Sequence, residues 1–208
     1  MPCKADPKVQ RSFLNDTLIP LIEQAKSGTI ELFFLDASHF VMGGFPGRVW
    51  SIVRKWVKTA CGRQRFNVLG ALNFVTKKVE TVVNTTYITS TQVIEMLEKL
   101  ARDYVGKPIK IILDNARYQH CNVVIEASQR LGVELVFLPT YSPNLNLIER
   151  VWKLVKSQVL SSTYHETFEA FCKIIQDCVN SLHTILSSEM NTLITQNFNI
   201  VNESDIIS

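Results

Sequence analysis

Three carboxylates stand where an element of this chain ends or begins. Asp36 follows the apolar run 32–35, Asp114 follows Ile109–Leu113, and Glu149 opens an amphipathic segment. Between Asp114 and Glu149 lie 34 residues. Carboxylate oxygens suit hard cations such as Mg2+ or Mn2+. Two such ions about 3.5–4 Å apart activate an attacking oxygen and stabilise a leaving one at a phosphodiester. Acids held close together repel, and a bound cation offsets that repulsion. Each acid also has an ordinary use. Asp36 can be a turn residue ahead of the glycines. Asp114 can be the N-cap of a helix starting at about Arg117, and Glu149 the N3 partner of an Asn146 cap. The conjunction, with two buried runs each ending in Asp, points to a two-ion site built from Asp36, Asp114 and Glu149.

The elements that must bring these acids together are legible in the pattern. Residues 7–27 read as a helix interrupted by Pro20 and capped by Gly28, a lead-in rather than a site. Residues 30–35 form a nearly continuous apolar run, the mark of a buried strand with Asp36 at its carboxyl end. Residues 48–53, 66–75 (with Gly70 inside) and 79–84 predict further strands in meander order. Residues 89–104 predict a helix with a capping box between Thr89 and Gln92. Strand 109–113, helix 117–131 and strand 133–138 form a βαβ unit, whose strands are parallel with a right-handed crossover. A helix over about 145–160 follows, carrying Glu149. A further helix is predicted after a Thr163–Glu166 capping box, and a weaker one over 185–198. In open α/β sheets functional groups gather beyond the carboxyl ends of parallel strands, the place predicted for Asp36 and Asp114.

Net charge is only +3 over 208 residues, but from Ala37 to Val79 there are eight basic residues and no acid. A local excess of that size suits a polyanion, although such runs also occur as plain solvated surface. Arg48, Arg54, Lys55, Arg63 and Arg65 are the candidates for DNA contact in that stretch. Asn115 and Arg117 follow Asp114 and are candidates too, or simply the start of a helix. Lys153 and Lys156 share a helix sector with Glu149, placed either for a phosphate backbone or for a Glu–Lys pair on a solvated face. His39 and His120 lie near the acids in sequence, but their spacing does not suggest zinc. Five scattered cysteines without a CxxC pair argue against a zinc or disulfide framework and fit a reducing cytoplasm. No apolar run approaches the roughly 20 residues of a membrane span.

The segments LDASHFV, GRQRFNVLGALN, LDNARYQH and above all LPTYSPNLNLIERVWKLVK resemble the catalytic domain of insertion-sequence transposases of the mariner superfamily, as does the 34-residue spacing. The resemblance covers about residues 6–160. It implies an α/β, ribonuclease H-like mixed sheet, an antiparallel meander followed by parallel strands, flanked by helices. It implies Asp36, Asp114 and Glu149 as the catalytic, metal-holding triad, Mg2+ or Mn2+ as cofactor, and cleavage at transposon ends with strand transfer into target DNA. Other nucleases share this fold, and a decayed copy acting as a DNA-binding module is a further reading. A homodimer on paired DNA ends is implied in the same way, with a nucleoid-associated cytoplasmic location. Only about 30 residues precede the first strand, too few for the helix-turn-helix domains such proteins carry, so a separate helix-turn-helix chain is an expected partner. The expected division is a lead-in helix at 1–28, the catalytic domain at 29–162, and a helical tail at 163–208 packed on that domain.

Overall fold

A computed structural model describes residues 6–43, 52–53, 64–160, 165–198 and 200. The chain opens with α1 (Pro7–Phe13), a π-turn (Leu14–Leu18) and α2 (Ile19–Lys26). Pro20 explains the widened turn. It has no N–H to return to the preceding turn, and the Ile19 N–H instead reaches five residues back to the Leu14 carbonyl. Gly28, at φ +77°, ends the helical segment.

Five strands follow: β1 (Glu31–Met42), β2 (Gln64–Asn73), β3 (Val79–Asn84), β4 (Ile109–Leu113) and β5 (Val133–Phe137). They form one mixed sheet in the order β3-β2-β1-β4-β5. The meander β1-β2-β3 is antiparallel, and β4 joins β1 in parallel, as does β5 to β4. Helix α3 (Ser90–Asp103), with the predicted Thr89–Gln92 capping box, links β3 to β4, and α4 (Asn122–Leu131) links β4 to β5. After a short 3-10 turn (Pro143–Leu145) come α5 (Ile148–Val159), α6 (Phe168–Ser181) and α7 (Ser187–Leu193).

The alternation of β1 divides the core between the two faces of the sheet. Leu32, Phe34, Phe40 and Met42 pack with Ile22 of α2, Trp152 of α5, Phe171 of α6 and Met190 of α7. Phe33 and Leu35 pack with Val93 and Leu97 of α3 and Val124 of α4. Beyond α7, Arg150 of α5 donates to the carbonyls of Leu193, Thr195 and Asn197 and lies over the Phe198 ring. No helix among the described residues is long and apolar enough to cross a membrane.

Several local expectations change. β1 does not stop before Asp36 but runs six residues past it, because β2 keeps pairing with it as far as Met42↔Gln64. The helix expected from Arg117 starts at Asn122, after turns in which Gln119 and His120 donate to the Ala116 carbonyl. The helix carrying Glu149 starts at Ile148 rather than 145, since Pro143–Leu145 turns more tightly. The N-cap of α6 is Thr167, whose hydroxyl accepts from Ala170 N–H; Thr163 lies outside the described residues. Of the strand expected over 48–53, residues 48–51 lie outside the described residues, and Ile52 and Val53 are bends.

Candidate metal centre

Asp36 lies on β1 just where its parallel neighbour runs out. The last parallel pair is Phe34↔Ile112. Carried two residues further, that register sets Asp36 level with Asp114, one strand spacing of about 4.8 Å away. Two residues on from Phe34, Asp36 shares the sheet face covered by α5. Glu149, in the first turn of α5, is delivered from that side. Asp36, Asp114 and Glu149 line one cavity of about 300 Å³, together with Asn115, Ala116, residues 138–143 and Asn146.

Local hydrogen bonds explain how each acid is held. The Asp114 carboxylate accepts from the Ala116 N–H at 3.0 Å, so it closes a turn and does not cap α4. Asn115 donates its side-chain amide to the Leu138 carbonyl, tying the Asp114 segment to the end of β5. Asn146 is not a cap for Glu149: its side-chain amide donates to the Leu35 carbonyl at 3.1 Å, the residue before Asp36. Its backbone carbonyl accepts from Glu149 N–H.

The lead-in helix contributes to the same loop. Gln10 of α1 is 2% exposed and donates to Ser142 Oγ at 3.1 Å and to the Tyr141 carbonyl at 3.4 Å. Its own side-chain oxygen accepts from Asn144 at 3.1 Å. Tyr141 holds φ +59°, a conformation that costs a non-glycine residue free energy and persists where surroundings impose it. Gln10→Leu removes these bonds in the same volume. The expected result is a loss of about 1–3 kcal/mol, with faster amide exchange confined to 139–147, measured by hydrogen-exchange mass spectrometry. Unchanged exchange there would show that the loop holds itself.

Asp36 carries the electrostatic strain of the cavity. Burial above all, then the charge of Glu149 and, to a lesser extent, that of Asp114, push its carboxyl up to about 7, against the opposing Ala37 N–H and, more weakly, the Trp152 indole. The phenol of Tyr118 is also raised, chiefly by burial and further by Asp114 and Asp36. Among the described residues no lysine or arginine lines the cavity. Three carboxylates with no countercharge among those residues are a donor set for a hard divalent cation, so these residues fit Mg2+ or Mn2+. Among the described residues no three His, Cys, Asp or Glu side chains stand ready to hold an ion; the acids share the cavity without closing on one point.

The basic candidates are dispersed. Arg48, Arg54, Lys55 and Arg63 lie outside the described residues. Arg65, exposed at the start of β2, lines a different cavity with Gln64, Thr85, Thr86, Tyr87 and Phe168. Arg117 is exposed in the turn after Asp114. Lys153 and Lys156 are exposed on α5; neither pairs with Glu149 among the described residues, and Lys156 lies 5.7 Å from the Phe40 ring centre. His39 bonds Asn67 and His120 packs on Phe137, both away from the cavity lining.

The model of a family described as DDE superfamily endonuclease matches residues 31–172. No curated protein matches the chain. Among solved structures, the chain is similar to the Mos1 strand transfer complex, with TM-score 0.61 and 12% identity over 97% of this chain and 65% of that one. It is similar also to the mariner Mos1 paired-end complex with Mg, with TM-score 0.60 and 13% identity over 94% and 62%. A simian T-cell lymphotropic virus intasome follows at TM-score 0.51 and 16% identity over 76% and 50%. At these identities the likeness is one of fold, the ribonuclease H-like core of transposases and integrases. The chain spans half to about two thirds of the length of these three solved chains.

Proposed function

Because this chain belongs to the DDE superfamily of endonucleases, we propose that it is the catalytic domain of a mariner-type transposase, which cuts phosphodiesters at transposon ends and transfers the freed strand into target DNA. One observation carries the reading. Acids from three separate elements, Asp36 on β1, Asp114 after β4 and Glu149 on α5, line a single cavity with no basic residue among the described residues of its wall.

Asp36, Asp114 and Glu149 would hold the divalent cations, two in this reading, with Asp36 and Asp114 sharing one. When bound, the ions supply activation of the attacking oxygen and stabilisation of the leaving one. The protein's part is placement. The parallel register, carried on from Phe34↔Ile112, aligns Asp36 with Asp114, and Asn146 ties the start of α5 to β1 so that Glu149 lines the same cavity. Ala116 N–H orients the Asp114 carboxylate. Lys153 and Lys156, exposed on the helix that carries Glu149, suit a phosphate backbone passing beside the cavity, as does Arg117. Asn115 spends its amide within the fold and offers the nucleic acid only its remaining oxygen. The assembly would be a homodimer on paired DNA ends, and the choice of ends would come from a helix-turn-helix unit.

The test is nicking of supercoiled plasmid in Mn2+ by the wild type and by Asp114→Asn. The expected result is nicking by the wild type, abolished by chelator and by the substitution. Equal activity of the two proteins would remove Asp114 from the site. A substrate comparison separates this reading from another nuclease of the same fold, which would prefer an RNA–DNA hybrid to DNA bearing inverted-repeat ends.

A further inference from the structure

Asn146 is 3% exposed and lines the acid cavity. Its Nδ2 donates to the Leu35 carbonyl at 3.1 Å. A carbonyl can only accept, so the prong facing Leu35 is the amide nitrogen, and the orientation of the side chain is fixed. The other prong, Oδ1, is buried and has no hydrogen-bond partner among the described residues. Leaving a buried acceptor unmatched costs free energy, and a native fold keeps such a group where something outside the chain meets it. Asn146 stands in the wall of a cavity that holds three carboxylates and, among the described residues, no lysine or arginine. No described side chain donates to its oxygen; a hard cation, which takes amide and carboxylate oxygens alike, would satisfy it.

We propose that Asn146 is a fourth ligand-bearing residue of this site, its Oδ1 supplying a neutral oxygen to a divalent cation held by the acids while its Nδ2 fixes α5 to β1. The assignment rests on the metal-dependent reading above. A neutral donor adds coordination without adding to the repulsion that already lifts Asp36. It also makes the metal complete a buried hydrogen-bonding deficit, so loading the site and locking the β1–α5 junction are one event.

Two substitutions separate the oxygen from the tie. Asn146→Ala removes both; Asn146→Asp removes the donor to Leu35 but keeps an oxygen toward the cavity. Mn2+ affinity of the whole chain is read by electron paramagnetic resonance of free Mn2+, and melting in chelator reports the tie. The expected result is that both variants melt below the wild type in chelator at pH 5.5. Asn146→Ala should bind Mn2+ about 10- to 100-fold more weakly, and Asn146→Asp at least as tightly as the wild type. Equal Mn2+ binding by Asn146→Ala and wild type overturns the assignment. So does equal weakening in both variants, which would leave Asn146 a structural tie alone. If Asn146→Ala does not fold, Asn146→Asp decides: affinity below the wild type overturns the proposal. A wild type that binds no Mn2+ overturns the transposase reading as well, whereas binding lost in Asp114→Asn but kept in Asn146→Ala overturns only the assignment of Asn146.

Discussion

Asp36→Asn should give a protein that melts higher than the wild type in chelator at pH 8, yet gains nothing from Mg2+ or Mn2+ and nicks no DNA above the chelator background. The cause is the cost of the charge. Folded Asp36 titrates at about 7, against 3.8 for an unburied aspartate, because it is buried beside Glu149 and Asp114. The folded state therefore holds a proton between about pH 4 and pH 7 that the unfolded state has released. Stability conferred by that proton is present below the lower value and falls as pH rises, until it is gone above the upper one. At about 1.4 kcal/mol per pH unit the loss is at most on the order of 4 kcal/mol. For a chain of this size that is a melting shift of at most roughly 8–16 °C. Asparagine keeps the shape and carries no charge, so it escapes the loss. The wild type recovers the same stability in another way, by binding a cation at pH 8. Scanning fluorimetry of both proteins from pH 5 to 8.5, with chelator and with Mg2+, reads all of this. An Asp36→Asn protein that melts at the wild-type temperature in chelator at pH 8 would show that Asp36 carries no such strain.

The sheet, and the three acids that line one cavity, were legible because their signals are local. Two apolar runs end in Asp, and a βαβ pattern fixes one parallel pair without help from the rest of the chain. The edge of the signal was also its limit. Residues 32–35 are buried on both faces and read as a strand, whereas beyond Asp36 one face of β1 opens. Burial then alternates through Ser38, His39, Phe40, Val41 and Met42, and the apolar run seems to stop although the strand continues. Asp114 taken alone reads first as a helix cap. Its carboxylate instead accepts from Ala116 N–H and closes a turn ahead of α4, which no spacing rule anticipates.

Residues that hold the site rather than form it left weaker marks. Gln10 is one polar position in an amphipathic helix, and nothing nearby in sequence hints that it meets Tyr141, Ser142 and Asn144, more than 130 residues on. Asn146 sits three residues before Glu149, the spacing of a capping pair, and that local explanation hid a bond to Leu35 across 111 residues. Arg150, beside the third acid, is occupied by the backbone of the C-terminal segment. Long-range polar contacts depend on which elements the fold brings together, and so become visible only once the sheet order is known.

One residue did leave a mark that sequence logic can use: the glycine inside β2. A glycine in a strand interior forgoes packing and marks close approach of another group. Gly70 pairs with Asp36 across the strands, and the Trp152 ring of α5 lies over it. A Cβ placed there would stand 2.6 Å from Trp152 Cη2 and Cζ2 and 3.0 Å from Ile148 Cδ1. Trp152 is 2% exposed and packs edge-on against Phe40, so the indole has no free direction and the strain passes to α5. Its ring N–H is buried without a regular partner, yet near enough to Asp36 to favour the charged carboxylate. Gly70→Ala should therefore cost about 1–3 kcal/mol by overpacking, a fall of roughly 3–10 °C in melting temperature. It should weaken Mn2+ binding too, because Glu149 stands one turn before Trp152 on the same helix. Trp152→Phe makes room at the cost of a cavity. The double variant Gly70→Ala/Trp152→Phe should then melt above the sum of the two single losses, the coupling expected of residues in contact. Additive losses, or a Gly70→Ala protein that melts and binds Mn2+ as the wild type does, would show that the approach of α5 to β2 has slack and that Glu149 is not held by this contact.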